Sequence, residues 1–206
     1  MKRTLLLTSG ALAAILLTGV GYADPTDQPG HVSPAPNTAN DTMSGVKDVA
    51  RHAAGTITAE MTTTLKGFAT EAAQSDMYEV AAGKIAQERS ANADVKAFAA
   101  KMVAAHTKTS DKLKSLLIDA KSDITPPATL DDRHQGMIDE LRGAKDADFD
   151  GRYIAQQIDA HKEALILMQG YAKDGDVASV KKFAGKTAPV VQEHLNMAEH
   201  LSKAGA

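Results

Sequence analysis

The feature that most constrains the fold is the spacing of apolar residues between positions 68 and 203. Four long segments repeat apolar or small side chains every three or four residues, the period of a helix with one buried face. We predict long helices over about 68–89, 93–120, 148–173 and 177–202. Because four such stripes can be buried only against one another, the sequence predicts an all-α domain over residues 68–203, built as an antiparallel four-helix bundle.

The second and third long helices are separated by a long connection. The sequence "SDITPP" ends the second helix, because Pro126 and Pro127 cannot continue it. A short helix is predicted over residues 130–141, before the third long helix begins. The other two connections are tight turns, "SANAD" and "DGD", so the bundle is expected to have one long crossover that contains a short helix.

The chain before the bundle has three parts. Residues 1–23 combine two basic residues, an apolar run and the small residues Gly21 and Ala23, which is typical of a cleaved signal peptide. A membrane anchor is disfavoured because Thr, Ser and Gly interrupt the apolar run. Residues 24–44 are predicted to be a disordered linker, and residues 45–67 a weakly helical lead-in segment. We therefore expect an exported protein, periplasmic or secreted, with no membrane span after cleavage.

Composition excludes several classes of function. The chain has no Cys, which excludes disulfides and thiolate metal ligands. The formal charge of −3 becomes −5 when Lys2 and Arg3 leave with the signal peptide, and no basic block remains, so we expect no nucleic-acid partner. No Ser-His-Asp arrangement or glycine-rich phosphate loop is present, so the sequence favours a protein that is not an enzyme.

Three short stretches resemble sequences of a known protein family: "VKAFAAKMVAAH", "FDGRYIAQQIDAH" and "QEHL". With their surroundings, from Phe68 to Leu201, they resemble a family of exported bacterial proteins, domain of unknown function 4142, which is grouped with ferritin-like bundles. The resemblance implies a ferritin-like four-helix fold outside the cytoplasm. It implies no established chemistry, because the function of the family is undefined.

The chain lacks the ligand motif of ferritin-like di-iron proteins. Those proteins use Glu-x-x-His pairs, whose members share a helix face and reach one ion. Three residues before each of His106, His161 and His194, this sequence has Val or Ile instead of Glu. Di-iron oxygen chemistry is therefore disfavoured.

The second, third and fourth long helices nevertheless each place one His in the middle of the apolar stripe. Counting residues from the connections puts His106 and His161 within roughly one turn of each other along the bundle, and Glu79 within roughly 6 Å of His106. His194 comes out about a turn and a half from His161. These four residues are the candidate ligands for a transition metal, with zinc, copper or iron suited to imidazole and carboxylate donors.

The sequence favours a second interpretation over this one, in which each His is a core residue, hydrogen-bonded to Tyr78, Tyr153, Gln157 or a neighbouring helix. On that interpretation no cofactor is required, and the protein is a non-enzymatic binding or envelope stress-related protein. The metal-binding or metal-dependent redox interpretation stands beside it. The sequence identifies no partner, and a homo-oligomer is compatible with it.

Two further sets of polar residues occupy positions from which they could bind a metal. Asp150 is expected to point toward the bundle, although a position near a helix N-terminus is explained equally well by the helix dipole. Asp131 and His134 have ligand-like spacing on the short helix, but we expect both to be exposed to solvent in a polar connection.

Overall fold

The structure, a computed structural model, describes residues 57–205. Six helices occur in this part of the chain: α1 (Ala59–Thr63), α2 (Leu65–Arg89), α3 (Ala93–Asp119), α4 (Asp132–Gly143), α5 (Asp146–Asp174) and α6 (Ala178–Lys203). No strand occurs among residues 57–205, so the predicted all-α class is confirmed for them. The predicted signal peptide, the linker and most of the lead-in segment lie outside the described residues and stay predictions.

The four long helices pack as a helical bundle. Helices α2 and α3 form one hairpin, and α5 and α6 form a second, each with an extensive internal contact. The hairpins meet where α2 contacts α5 and α3 contacts α6. The short helix α4 lies in the connection between the hairpins and packs against α2 and α5.

The helices begin where polar side chains cap them. Thr64 accepts a hydrogen bond from the Gly67 N–H at 3.1 Å, and α2 therefore begins at Leu65, slightly before the predicted start. Asn92 caps α3 through the Asp94 N–H at 2.9 Å. The short α1 lies against the start of α2, where a Cβ on Gly67 would come within 2.6 Å of the Glu60 carbonyl oxygen.

The buried interior consists of two apolar clusters with polar side chains between them. The first, which we call the turn-side cluster because it lies beside the α5–α6 turn, is centred on Phe68, Leu113, Leu167, Tyr171 and Val180. The second, the α4-side cluster, is centred on Ala82, Phe98, Ile138, Tyr153 and Ile154. Buried polar residues from all four long helices lie at the level where one cluster gives way to the other.

The buried face of α6 differs from the predicted one. The apolar spacing of residues 177–202 predicts a buried face through Phe183, Thr187 and Val190. In the structure Val190 is 45% exposed, and the neighbouring Ala184, Ala188 and Val191 are buried. Alanine allows α6 to pack closely against α5, so the small residues turn inward and the larger ones remain at the edge of the interface. His194 belongs to both faces and is buried in either case.

Within residues 57–205, none of the helices has the length and apolar character needed to cross a membrane.

Candidate metal centre

Three histidines from three helices meet in the polar layer between the apolar clusters. His106 comes from α3, His161 from α5 and His194 from α6. Their ring centroids lie 5.6 Å (His106–His161), 6.0 Å (His106–His194) and 5.5 Å (His161–His194) apart. One nitrogen of each ring lies within 4.8 Å of the corresponding nitrogens of the other two. All three residues are buried, with exposed fractions of 6%, 1% and 3%.

The orientation of the His106 ring is fixed by Asp76 of α2. Nδ1 of His106 lies 2.8 Å from Oδ1 of Asp76, so this nitrogen carries a proton and its N–H donates a hydrogen bond to the carboxylate. Asp76 is held in turn by the hydroxyl groups of Thr109, at 2.7 Å, and Ser110, at 3.2 Å. Nε2 of His106 faces the cluster and has no hydrogen-bond partner among the described residues.

His161 is oriented by its own helix. Its Nδ1 donates to the backbone carbonyl of Gln157, one turn earlier, at 2.8 Å. Nε2 is therefore the nitrogen that carries the lone pair in the neutral ring, and it too has no partner in the described part of the chain. Burial, assisted by the charge of His106, lowers the pKa of His161 to about 3, so this ring is neutral at ordinary pH.

His194 differs from His106 and His161 in which ring nitrogen is unpaired: Nδ1 instead of Nε2. Its Nδ1 is buried and lacks a hydrogen-bond partner within residues 57–205. Burial, together with the charges of His106 and Lys101, lowers the pKa of His194 to about 4. His106 differs: burial lowers its pKa, but the hydrogen bond to Asp76 and the charge of Glu79 outweigh burial, and the pKa is raised.

Glu79 lies beside the cluster on α2. Its Oε1 is 3.6 Å from Nδ1 of His161, and both of its carboxylate oxygens are buried without a partner in hydrogen-bond geometry. Burial raises the pKa of Glu79 to about 7, although the charge of His106 and the amide of Gln157 oppose the shift. The Gln157 amide therefore lies close enough to Glu79 to stabilise its ionised form, although the two groups do not meet the geometry of a hydrogen bond.

The structure brings the four predicted ligands into one region but in a different arrangement. The three histidines form the closely spaced group, and Glu79 approaches the far nitrogen of His161. The predicted offset of His194 was wrong, since its ring is as close to His161 as that of His106. Side chains lean toward the N-terminus of their helix, so in the antiparallel pair of α5 and α6 the two rings lean toward each other and close the gap.

Asp131 and His134, which have ligand-like spacing in the sequence, have a different role. His134 is buried, with 3% of its surface exposed, so the expectation that it would lie in solvent was wrong. Asp131 caps α4 by accepting from the His134 N–H at 2.8 Å, and its carboxylate also accepts from Nδ1 of His134 at 2.9 Å. Nε2 of His134 accepts from Arg133 at 3.0 Å. Both ring nitrogens are thus satisfied by the protein, which explains the ligand-like spacing as a helix cap.

Asp76 is the residue of the centre that sequence reasoning missed. It stands three residues before Glu79 on α2, so the two carboxylates share one face of the helix. That spacing was the available signal, because two acidic residues one turn apart are costly on a buried face unless they have partners. Asp150 points inward as expected, with one carboxylate oxygen buried.

The arrangement defines a class of protein: a helical bundle with three unpaired imidazole nitrogens directed at one point in its interior. A histidine held by a carboxylate on one nitrogen and free on the other has the form that metal-binding histidines take in proteins. The chain belongs to the family described as Domain of unknown function (DUF4142), which matches residues 50–201. No curated protein and no solved structure matches the chain.

Proposed function

We propose that this is an exported protein whose ferritin-like four-helix bundle, with a crossover that contains α4, binds one transition-metal ion at its centre. The observation that carries the proposal is the convergence of Nε2 of His106, Nε2 of His161 and Nδ1 of His194, all buried and without hydrogen-bond partners among the described residues. A buried polar atom without a partner is costly, and three at one point are accounted for by a shared ligand.

The donor set favours zinc, copper or iron. Neutral imidazole suits these ions, whereas magnesium and calcium prefer oxygen ligands. Two carboxylates accompany the nitrogens: Asp76, which is bonded to His106, and Glu79, which lies beside His161. Together they balance the charge of a divalent ion. Glu79 lies outside the closely spaced group of three nitrogens, beside the far nitrogen of His161, so in this proposal it compensates charge while the three histidines bind the ion.

Binding requires at most a small contraction of the cluster. Two nitrogens that each lie about 2.1 Å from one zinc ion are at most about 4.2 Å apart, whereas the histidine nitrogens lie within 4.8 Å of one another. Small rotations of the rings close this difference. The hydrogen bonds on the far nitrogens of His106 and His161 keep their unprotonated nitrogens directed at the ion.

Burial favours a binding role over turnover. The three rings expose at most 6% of their surface, so a substrate of ordinary size has no direct contact with the ion. We therefore propose a protein that holds a metal ion outside the cytoplasm. Support for export comes from the signal-peptide pattern of residues 1–23.

The proposal is tested by metal analysis of protein purified from its native compartment, followed by titration of the metal-free protein with Zn²⁺, Cu²⁺ and Fe²⁺. We expect one equivalent of metal per chain, and none in His161→Leu. His200→Ala is the matched control, because His200 is exposed on the same helix as His194 and its loss should not affect binding. Absence of metal from the wild-type protein in both measurements would overturn the proposal.

A further inference from the structure

The buried polar atoms without partners extend well beyond the three histidines. Nine such side-chain atoms occur among residues 57–205, and three of them are the histidine nitrogens. The other six belong to Glu79, Gln157, Tyr153 and Asp150. The proposed ion accounts for the three histidine nitrogens, and Glu79, Gln157, Tyr153 and Asp150 still lack partners, so one ion in one position does not account for them.

These remaining groups lie in a line. Asp150, Tyr153, Gln157 and His161 follow one another on α5 at three- and four-residue spacing, which places them on one face of the helix. The line covers about 16 Å along the helix axis, through the α4-side cluster to the end of the bundle. Tyr153 and Gln157 are fully buried, and Glu79 of α2 faces the inner end of the line.

The outer end of the line reaches the surface. Asp150 is half-buried, with one carboxylate oxygen inside the protein, and it lies near the start of α5. From this end inward, the sequence of oxygen donors is a carboxylate, a phenol hydroxyl, an amide carbonyl and the Glu79 carboxylate. The imidazole nitrogens of the metal centre come last. We call the set of Asp150, Tyr153, Gln157 and Glu79 the polar track.

We propose that the polar track is the route by which the transition-metal ion enters and leaves the histidine centre. The inference rests on the proposed metal-binding function and adds the path to it. An ion that crossed a purely apolar core would lose its water without gaining other ligands, which is energetically costly. Oxygen donors placed along the path offset that cost in steps.

The order of donors gives the route a direction. Zinc, copper and iron bind imidazole nitrogen well, whereas neutral oxygen donors such as amide carbonyls suit harder ions. An ion is therefore held weakly along the track and tightly at its inner end. Removing a donor from the track should change how fast the ion moves without changing how tightly it is finally held.

The experiment follows Co²⁺ binding to the metal-free full-length protein by visible absorbance in a stopped-flow instrument, with release measured by adding excess chelator. Tyr153→Phe and Gln157→Leu remove one track donor each, and Asp150→Asn changes the half-buried outer end. We expect both binding and release to slow by at least about fivefold, with an unchanged Kd, because the barrier is raised and the end states are not. Tyr171→Phe is the matched control, since it removes a buried hydroxyl from the same helix in the turn-side cluster.

Three outcomes would overturn the route. The first is unchanged rates in all three track variants, provided that circular dichroism shows them folded. The second is a weaker Kd with an unchanged binding rate, which would make the track part of the site and not a path to it. The third is slowing by Met77→Trp alone, since Met77 lines a surface cavity of about 650 Å³ between α2 and α3 that reaches Asp76. Failure of the wild-type protein to bind Co²⁺ or any other transition metal would instead overturn the proposed function itself.

Discussion

The protein buries histidines in two places, and the two surroundings treat the imidazole ring differently. At His134 the protein supplies a partner for each ring nitrogen: Asp131 accepts from Nδ1 and Arg133 donates to Nε2. In the centre of the bundle, His106 and His161 have one nitrogen bonded and the other free. A histidine with both nitrogens satisfied contributes to the fold, whereas a group of histidines with converging free nitrogens is arranged for a ligand.

The two sites also differ in whether the protein supplies a cation for the nearby carboxylates. Arg133 lies 2.9 Å from Glu163 and 3.6 Å from Glu71, so the cation that the carboxylates near His134 require is part of the protein. The central layer has Asp76 and Glu79 but no Lys or Arg ion pair with either of them among the described residues. The proposed metal ion would neutralise Asp76 and Glu79 in the way that Arg133 neutralises Glu163 and Glu71 near His134.

The largest expected effect separates the two kinds of histidine. His106→Ala should weaken Zn²⁺ binding by more than about a hundredfold, because loss of an outer partner alone costs about 10- to 100-fold and this change removes a ligand. His134→Ala should leave affinity unchanged. Isothermal titration of both variants with Zn²⁺ checks the prediction, and equal losses in the two would show that the distinction is unfounded.

The next effect concerns stability. Metal at about 100 times its Kd should stabilise the protein by about 2.7 kcal/mol, because the ion binds the folded chain and not the unfolded one. Thermal unfolding followed by circular dichroism, with and without a chelator, measures the difference. His161→Leu should unfold at the same temperature in both conditions, and a chelator effect that persists in this variant would point to a different site.

A smaller effect is expected from the carboxylate behind His106. Asp76→Asn should weaken Zn²⁺ binding by about 10- to 100-fold, because the amide fixes the ring and its basicity less well than a carboxylate does. Asp131→Asn makes the same change beside His134; because Asn caps a helix as well as Asp does, the α4 cap should survive and the affinity should be unaltered. Full affinity in Asp76→Asn would mean that Asp76 only fills space.

The smallest effect, taken per unit of pH, is the acid sensitivity of the metal-free protein. Burial lowers the pKa of His161 to about 3, so the unfolded chain, with a pKa near 6.5, takes up the proton first as the pH falls. The stability that neutral His161 contributes is complete above about pH 6.5 and is lost below it, by at most about 1.4 kcal/mol per pH unit. Glu79 acts in the opposite sense, because its pKa is raised to about 7 and the folded state takes up that proton first.

The variant His161→Leu separates the contribution of His161 to the pH dependence of stability from the contributions of the other titrating groups. Relative to the wild type, His161→Leu should gain stability as the pH falls from about 6.5 toward 4, since it has no ring to protonate. His134→Leu should show the same sign with a smaller gain, because the hydrogen bond to Asp131 partly offsets the lowering of the His134 pKa by burial. Urea unfolding at several pH values measures both, and parallel pH curves for wild type and His161→Leu would contradict the assignment.

Much of the fold could be predicted because helical periodicity is a local property. The stripe of α3 through Val95, Met102 and Leu113 is buried as its spacing indicated. The face of α6 was harder, because a helix with alanines on one side and larger apolar residues beside them has two plausible buried faces. Only contact with α5 selects between them. The central histidines were predictable for the same local reason, since each stands within an apolar stripe.

Sequence by itself determined that residues 68–203 contain four long amphipathic helices and that His106, His161 and His194 belong on their buried faces, because both depend on spacing within one segment. Only the tertiary structure decided that Nδ1 of His106 is bonded and its Nε2 is left free, because Asp76 approaches the ring from another helix. It also decided that His194 meets His161, through the opposite lean of side chains in antiparallel helices. Hydrogen bonding and height along a bundle are relations between segments, and no periodicity within one segment contains them.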